Sequence, residues 1–503
     1  MKNTTSGEGL KRELTTRQLS MIAMGMAIGT GLFLGSGLAI GTAGPSVLIS
    51  YTFGAFIVLL LMGCLAEMTV AYPTSGSFGT IADKYLHPMA GFLVRYSYWI
   101  AQVLAIGVEI SAIAIYMKYW FPGVPGIVWI IVFTAVLIYV NATSVNAFAT
   151  FEYWFSMIKV SAIIAFILLG AYVLFGTSGH ENVGAKNLTD HGGFMPFGFK
   201  GMWIAIFISL FSFLGTELVA VTAGEAKDPD VAVPKALKAT VFRLSAFYVL
   251  TMAIMLMIVP WKSAGIDESP FVKVMEILNI TGASGVMNFI VLTAALSSMN
   301  GQLYASSRTM FSLSSEKYAP AILGKLNKKG VPTIALAVST TGIVLAAAVN
   351  ALLPGSSYAF MMGISMFGSL FTWLVIFVSH LSFRSKWEKM GGRKLPVRMI
   401  GFPYLTILGG LLLVSLMITS WFTDFKIMLQ FGIPWLVFLS FAYFIMKKRI
   451  DTWQRILTLW GMERQSSEAR GRFSCFPSLY PFMLYSLLVS FLNYKSIYSI
   501  SIV

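Results

Sequence analysis

Glu109, Lys159 and Glu217 are ionisable residues set inside long apolar runs of a 503-residue chain. A charge buried in hydrocarbon costs several kcal/mol, so such residues mark ion or substrate pathways by default. An amine or carboxyl in a low-dielectric site can load and release a proton, which makes Lys159 and Glu109 candidate proton-coupling groups. Each also has a plainer reading. Lys159 falls about five residues from one end of its run, under about 10 Å deep at a 1.5 Å rise, and a side chain of that length can snorkel to water. Glu109, near the middle of its run, can be a structural carboxyl held by hydrogen bonds inside a helix bundle. Glu217 directly follows a glycine-containing interruption, which ties it more closely to binding or gating.

The interruptions themselves are the second chemical feature. The first apolar run carries Gly25, Gly29, Gly31, Gly35 and Gly37 around Ala27-Ile28-Gly29-Thr30-Gly31-Leu32-Phe33, and the sixth carries Phe211-Ser212-Phe213-Leu214-Gly215-Thr216-Glu217. Glycine in a helix interior costs about 1 kcal/mol relative to alanine, so this density favours an unwound segment at mid-membrane. Where a helix breaks at that depth, free N–H groups can hold a carboxylate and free carbonyls an ammonium; a zwitterionic amino acid fits both. The alternative is that the spacing of Gly25 with Gly29, and of Gly31 with Gly35, serves only close helix packing. Met24, Met26, Phe211 and Phe213 near the breaks suggest an apolar wall suited to a neutral side chain, whereas Glu217 would suit a cationic one.

Other chemistries find no footing. No His, Cys or carboxylate set has metal-ligand spacing, and no cofactor motif is present. The absence of a P-loop removes ATP as the energy source and leaves an ion gradient. His380 closes the tenth apolar run and reads as an interfacial residue rather than a proton relay, while His87, His180 and His191 fall in loops. Cys64 and Cys475 make no disulfide framework. The formal charge of +15 raises nucleic acid as a partner, but the basic residues form no aromatic-interleaved face, so no nucleic-acid binding is expected.

A lipid bilayer must position these residues. The chain is 57% hydrophobic and 11% charged with a mean hydropathy of +0.76, a balance soluble domains do not show. Its apolar runs are about 20 residues long, enough to span roughly 30 Å of hydrocarbon, and must be helical because lipid cannot satisfy backbone polar groups. No alternating ten-residue pattern of a membrane barrel appears. Helices are expected over 18–42, 46–71, 89–120, 126–144, 154–176, 201–221, 240–260, 284–308, 332–353, 358–380, 403–422 and 430–447. The fold class is thus an all-α integral membrane protein of about twelve spans.

Loop charges give the orientation. Lys2, Lys11, Arg12 and Arg17 precede the first run, and clusters follow the sixth (Lys227, Lys235, Lys238, Arg243), the eighth (Arg308, Lys317, Lys325, Lys328, Lys329), the tenth (Arg384, Lys386, Lys389, Arg393, Lys394, Arg398) and the twelfth (Lys447, Lys448, Arg449). Odd-numbered loops carry little beyond Lys118, Lys186, Lys262, Lys273 and Lys426. Positive residues stay inside, so both termini are expected in the cytoplasm of a cell with this protein in its cytoplasmic membrane. The first run reads as a retained helix rather than a cleaved signal. One membrane domain, 18–447, then lies between a cytoplasmic tail, 1–17, and a C-terminal stretch, 448–503. Within that stretch 465–503 is Ser- and Tyr-rich, with Pro481 interrupting the apolar run Leu479 to Leu492, and it receives no function.

At these residues the chain resembles a bacterial amino acid permease of the amino acid transporter family, in the amino acid-polyamine-organocation superfamily. The resemblance runs from Arg17 to Arg449. It is carried by the first glycine phrase, Ala43-Gly44-Pro45, Tyr72-Pro73-Thr74-Ser75-Gly76-Ser77-Phe78, Phe151-Glu152-Tyr153-Trp154-Phe155-Ser156-Met157-Ile158-Lys159-Val160, Gly215-Thr216-Glu217-Leu218 with Ala223-Gly224-Glu225-Ala226-Lys227-Asp228-Pro229, and Tyr304-Ala305-Ser306-Ser307-Arg308. It implies a LeuT-like fold of two inverted five-helix repeats plus two helices. It also implies proton-coupled uptake of an amino acid whose carboxylate meets Gly29, Thr30 and Gly31 and whose amine meets carbonyls near Ile28, Phe211 and Leu214; Phe213, Gly215, Thr216 and Glu217 complete the candidate site. Lys159 matches the lysine that, in similar transporters, stands where sodium-coupled relatives hold a sodium ion. Ala149-Thr150 departs from the family's usual Gly-Glu pair, so any role of that first acid is absent, and the last 40 or so residues fall outside the resemblance.

The leading functional expectation is a proton-amino acid symporter for neutral amino acids. A cationic amino acid permease and an exchanger remain as alternatives. A nutrient sensor lacks a sizeable soluble domain to carry its signal, and a membrane enzyme lacks a convergent set of nucleophile, base and metal ligands.

Overall fold

The computed structural model describes residues 14–74, 76–175, 184–263, 269–278, 282–352, 357–392 and 394–459. Expectations placed on Lys2, Lys11, Arg12, Ser75, His180, Arg393, Cys475 and the stretch 465–503 lie outside the described residues.

Among the described residues, helix occupies each of the twelve expected spans. The first is in three pieces, α1 (Thr16–Ala27), α2 (Thr30–Phe33) and α3 (Gly35–Ala43). There follow α4 (Val47–Ala71), the short α5 (Ser77–Tyr85), α6 (Pro88–Trp120), α7 (Gly126–Thr143) and α8 (Val145–Phe175). The sixth run is again broken, into α9 (Gly198–Phe213) and α10 (Leu218–Thr222). Then come α11 (Pro229–Ile258), α12 (Pro270–Ile277), α13 (Ala283–Ser315), α14 (Thr333–Ser339), α15 (Thr341–Leu352), α16 (Ser357–Lys389), α17 (Tyr404–Ser420) and α18 (Ile427–Leu459). Nine helical stretches among the described residues are long and apolar enough to cross a bilayer, and Thr333–Val349 and Tyr404–Ser420 are shorter apolar ones. The chain is a multi-pass membrane protein.

Several helices outrun the hydropathy that marked them. α8 begins at Val145 rather than 154, α11 at Pro229 rather than 240, and α16 runs to Lys389 rather than 380. In each case the extra turns carry polar or charged residues, which lower the hydropathy without ending the helix. Lys235, Lys238 and Arg243 are accordingly helical, and Arg308 lies inside α13 instead of in a loop.

Start signals are local. Thr15 and Gln18 cap α1 reciprocally, the Gln18 amide donating to Thr15 Oγ1 at 3.3 Å and the Thr15 amide to Gln18 Oε1 at 3.1 Å. His87 caps α6, its Nδ1 accepting from Met89 N at 3.1 Å, with Pro88 at the first helical position.

Burial separates the centre from the lipid-facing rim. In the most apolar part of α6, 89% of residues are buried, against 17% in α7, so α6 runs through the middle and α7 along the edge. Around α6 stand α13, α15 and α16 in close approach: a Cβ on Gly342 would lie 2.0 Å from Val103 O, and one on Gly368 2.2 Å from Ser97 O. Only glycine admits these helices at that separation. Large apolar side chains such as Ile131, Leu168, Phe242 and Val437 are exposed outward, where acyl chains rather than water would meet them.

Candidate functional site

The two interruptions lie side by side. After α1 the backbone leaves helical geometry at Ile28 (φ −85, ψ 83) and Gly29 (φ −125, ψ −154), and after α9 at Leu214 (φ −60, ψ 142) and Gly215 (φ +98). Gly215 takes a left-handed conformation that side-chain-bearing residues avoid, and a Cβ there would stand 3.1 Å from the Met26 backbone. Gly31 is pressed against Ser212 of α9. Unwinding and close packing, set out above as alternatives, therefore coexist: Gly29 and Gly215 permit the breaks, and Gly31 permits their contact. The hydroxyl of Tyr248 on α11 spans both, 2.7 Å from Ala27 O and 2.7 Å from Ser212 O, and Tyr51 of α4 meets Ser212 Oγ at 3.0 Å.

Between the breaks, α6, α13 and α16 lies a small cavity. Gly29, Gly31, Phe211, Leu214 and Gly215 line it, as does Glu109. Ile28, Thr30, Phe213, Thr216 and Glu217 are not in its lining. Glu217 is wholly buried beside the second break, its Oε2 accepting from Gly215 N at 3.1 Å, and it holds that bend rather than facing the cavity. Phe213 packs on Tyr248 with ring centroids 4.8 Å apart. Met26 and Phe211 do form apolar wall; Met24 does not reach the lining. The sequence reading missed the polar lining, Gln102, Ser298, Gln302 and Ser369, because uncharged polar residues on apolar helices leave no periodic signal.

Glu109 sits against the first break. Its Oε1 accepts from Ser298 Oγ at 2.7 Å and Gln302 Nε2 at 3.5 Å, and its Oε2 from Thr30 N at 3.4 Å. A Cβ on Gly29 would lie 2.9 Å from Glu109 Oε1, so the glycine also makes room for the carboxyl. Tyr358 of α16 donates to Thr30 O at 3.1 Å.

Lys159 does not snorkel. It is fully buried and donates to Gly25 O, to Ile28 O at 2.9 Å and to Ser297 Oγ at 2.8 Å. The early start of α8 places it 14 residues into the helix, about 21 Å along its axis rather than under 10 Å. Its ammonium thereby satisfies carbonyls freed where α1 ends.

Glu152, two turns before Lys159 on α8, is the functional candidate that sequence reasoning passed over. It is buried, takes the hydroxyl of Ser297 on Oε1 and Asn300 Nδ2 on Oε2 at 3.1 Å, and so shares Ser297 with Lys159. A spacing of seven puts acid and base on one helix face, which was the available signal. His380, expected to close its helix, lies inside α16 and is buried, with Nε2 3.1 Å from Glu67 Oε2 and Nδ1 3.2 Å from Thr406 Oγ1. Met399 N at 2.8 Å and Arg384 Nη1 at 3.3 Å share that Glu67 oxygen. A second buried pair, Arg308 Nε to Glu225 Oε1 at 2.7 Å, stands below the second break. No group of three metal-ligating residues is clustered among the described residues.

Comparison with known proteins gives the chain's family. The model of the family described as amino acid permease matches residues 18–453. A gamma-aminobutyric acid permease of Bacillus subtilis is 40% identical over 447 residues, covering 88% of this chain and 95% of that protein. The aromatic amino acid transport protein AroP of Escherichia coli is 39% identical over 391 residues, covering 78% of this chain and 86% of AroP. The amino-acid permease RocC of Bacillus subtilis is 39% identical over 456 residues, 88% of this chain and 96% of its own length.

Proposed function

This chain belongs to the amino acid permease family, and from that premise we propose that it is a proton-coupled symporter carrying neutral amino acids across the bacterial cytoplasmic membrane by alternating access. Its family is one of transporters, not enzymes. We read the helices as twelve spans, the first ten forming two inverted five-helix repeats whose opening members are the broken helices, with both termini in the cytoplasm.

The cavity between the two breaks carries the reading. Backbone N–H groups of Gly29 and Gly31, which line it, and of Thr30 between them would hold the cargo's carboxylate, and the carbonyls of Phe211 and Leu214 in the lining, with that of Ile28 beside it, its amine. Lys159 and Glu109 are the proton-coupling groups, since each is buried and bonded to the first break. A neutral cargo is favoured because the wall combines Met26, Phe211 and Leu214 with uncharged polar residues, the lining carboxyl of Glu109 is bonded to Ser298 and to the first break, and Glu217 is turned away from the cavity. Relatives named for gamma-aminobutyric acid and for aromatic amino acids, all without net charge, support the same class. The cationic alternative rested on Glu217 and loses that support.

Tracer uptake into sealed vesicles tests the proposal, with each amino acid competing in turn. Uptake should collapse when a protonophore dissipates the proton gradient and persist without sodium. Sodium dependence with indifference to protons would overturn the coupling, a requirement for internal substrate would make the protein an exchanger, and preferential competition by lysine or arginine would reverse the cargo class.

A further inference from the structure

We infer that Gln102 of α6, with Ser369 of α16, reads the cargo's side chain and selects, among neutral amino acids, those whose side chain ends in a carboxamide or a hydroxyl. The inference rests on the amino acid cargo proposed above and narrows its class.

The cavity lining has two kinds of wall. Gly29, Gly31 and Gly215 at the breaks carry no side chain, so what they present is main chain. Main-chain groups suit the carboxylate and amine that every amino acid shares. Discrimination between cargoes has to come from side chains, and α6 and α16 contribute Gln102, Ala105 and Ser369.

Gln102 differs from the other polar side chains of the lining in being uncommitted. Ser298 Oγ donates to Glu109 Oε1 at 2.7 Å, and Gln302 Nε2 donates to Ser298 Oγ at 3.2 Å. Gln302 Oε1 has no partner but is fully buried. Gln102 lines the cavity, is 3% exposed, and forms no side-chain hydrogen bond among the described residues. Ser369 is nearly as free, since its hydroxyl meets Ser365 O only at 3.5 Å. A buried carboxamide normally finds partners for its two donors and its oxygen, so an uncommitted one facing a cavity is a group awaiting a ligand.

The fold holds this pair firmly. A Cβ on Gly368 would stand 2.2 Å from Ser97 O and 2.9 Å from Ala101 Cβ, so α16 lies hard against the stretch of α6 that leads into Gln102. Gln102 and Ser369 thus sit on packed, continuous helices rather than on the breaks, as a discriminating group requires. Two turns of α6, about 10 Å, separate Gln102 from Glu109, the acid bonded to the first break. Ala105, next on the same face, leaves room beside the amide.

A bound side chain dries this wall. Against a methyl group the Gln102 amide loses water and receives nothing in return, whereas a carboxamide or hydroxyl supplies both a donor and an acceptor. A site built to hydrogen-bond a substrate group rejects the analogue lacking it far more strongly than an apolar pocket rejects an added hydroxyl.

The test pairs near-isosteres that differ at that end, L-asparagine with L-leucine and L-threonine with L-valine, and adds L-phenylalanine and γ-aminobutyrate. Affinity for purified full-length protein is read from ligand-dependent thermal stabilisation. The wild type should bind the polar member of each pair at least about tenfold more tightly. Gln102→Met, similar in volume, should erase or invert both preferences by binding L-leucine and L-valine more tightly, a gain that a misfolded protein cannot show. Should that variant fail to fold, Gln102→Ala gives the same reading, and Ser369→Ala should reduce the preference without inverting it. Equal affinities within each wild-type pair, a preference for the apolar members, or a preference that survives in the Gln102 variants overturns the inference and leaves the neutral cargo standing. Binding of L-phenylalanine or γ-aminobutyrate alone does the same. Stabilisation by none of the six overturns the neutral amino acid reading itself.

Discussion

Gly31 and Ser212 meet backbone to backbone: a Cβ on Gly31 would stand 2.8 Å from Ser212 Cα and 3.1 Å from Ser212 N. The neighbour is main chain, which cannot swing aside as a side-chain tip would. Gly31→Ala must therefore push the two broken helices apart or distort one of them, at about 1–3 kcal/mol for an overpacked methyl. The expected outcome is tracer uptake reduced tenfold or more at near-normal amounts of membrane-inserted protein. Uptake within twofold of wild type would show that the contact does not constrain the site.

Tyr248 bonds the same two helices from behind. Its hydroxyl has one proton and two carbonyls, Ala27 O and Ser212 O, each at 2.7 Å. Tyr248→Phe leaves both acceptors buried without this donor, a loss of about 1–3 kcal/mol. Thermal unfolding in detergent should shift down by several degrees, and bound cargo should recover part of that shift, because ligand binding stabilises the state it binds. A variant as stable as wild type would mean the carbonyls find water instead.

Lys159 offers a direct check on coupling. Removing its ammonium frees Gly25 O and Ile28 O and leaves Glu152 without its nearby cation. Lys159→Ala should lose gradient-driven accumulation while preloaded vesicles still show counterflow, since counterflow needs alternating access but no net proton movement. Wild-type accumulation by this variant would remove Lys159 from coupling altogether.

How much of this was legible beforehand follows from what each residue's signal was. The breaks were legible because glycine is a local, energetic marker: Gly29 and Gly215 sit where the helices unwind. Lys159 was located but misjudged in depth, because polar residues from Asn146 to Glu152 read as a loop and are in fact the first turns of α8. The end of α16 was placed too early for the same reason, since Arg384, Lys386 and Lys389 continue it past His380. Hydropathy locates hydrocarbon, not helix ends. The partners Ser297, Ser298 and Gln302 were invisible for a different reason: they become polar lining or bonding groups only once α13 is packed against α6 and α8. Tertiary contact, not local pattern, creates their role.

The pair Glu225–Arg308 shows what such contact can stabilise. Both side chains are buried, the guanidinium also lies 4.4 Å from the Tyr304 ring centroid, and Tyr304 stacks on Phe148 at 4.2 Å. The Glu225 carbonyl in turn receives Leu14 N at 3.0 Å, while Lys227 N donates to Leu14 O at 2.9 Å, so the entry to α1 is tied to the segment after the second break. Removing one charge strands the other in low dielectric, at about 3–5 kcal/mol, whereas replacing both with neutral groups of similar size is often neutral. Arg308→Met and Glu225→Gln should each lower the midpoint of thermal unfolding markedly, and the double variant should unfold closer to wild type than either. If the double variant is destabilised by the sum of the two, the residues act independently and the ion pair is not what holds the segment.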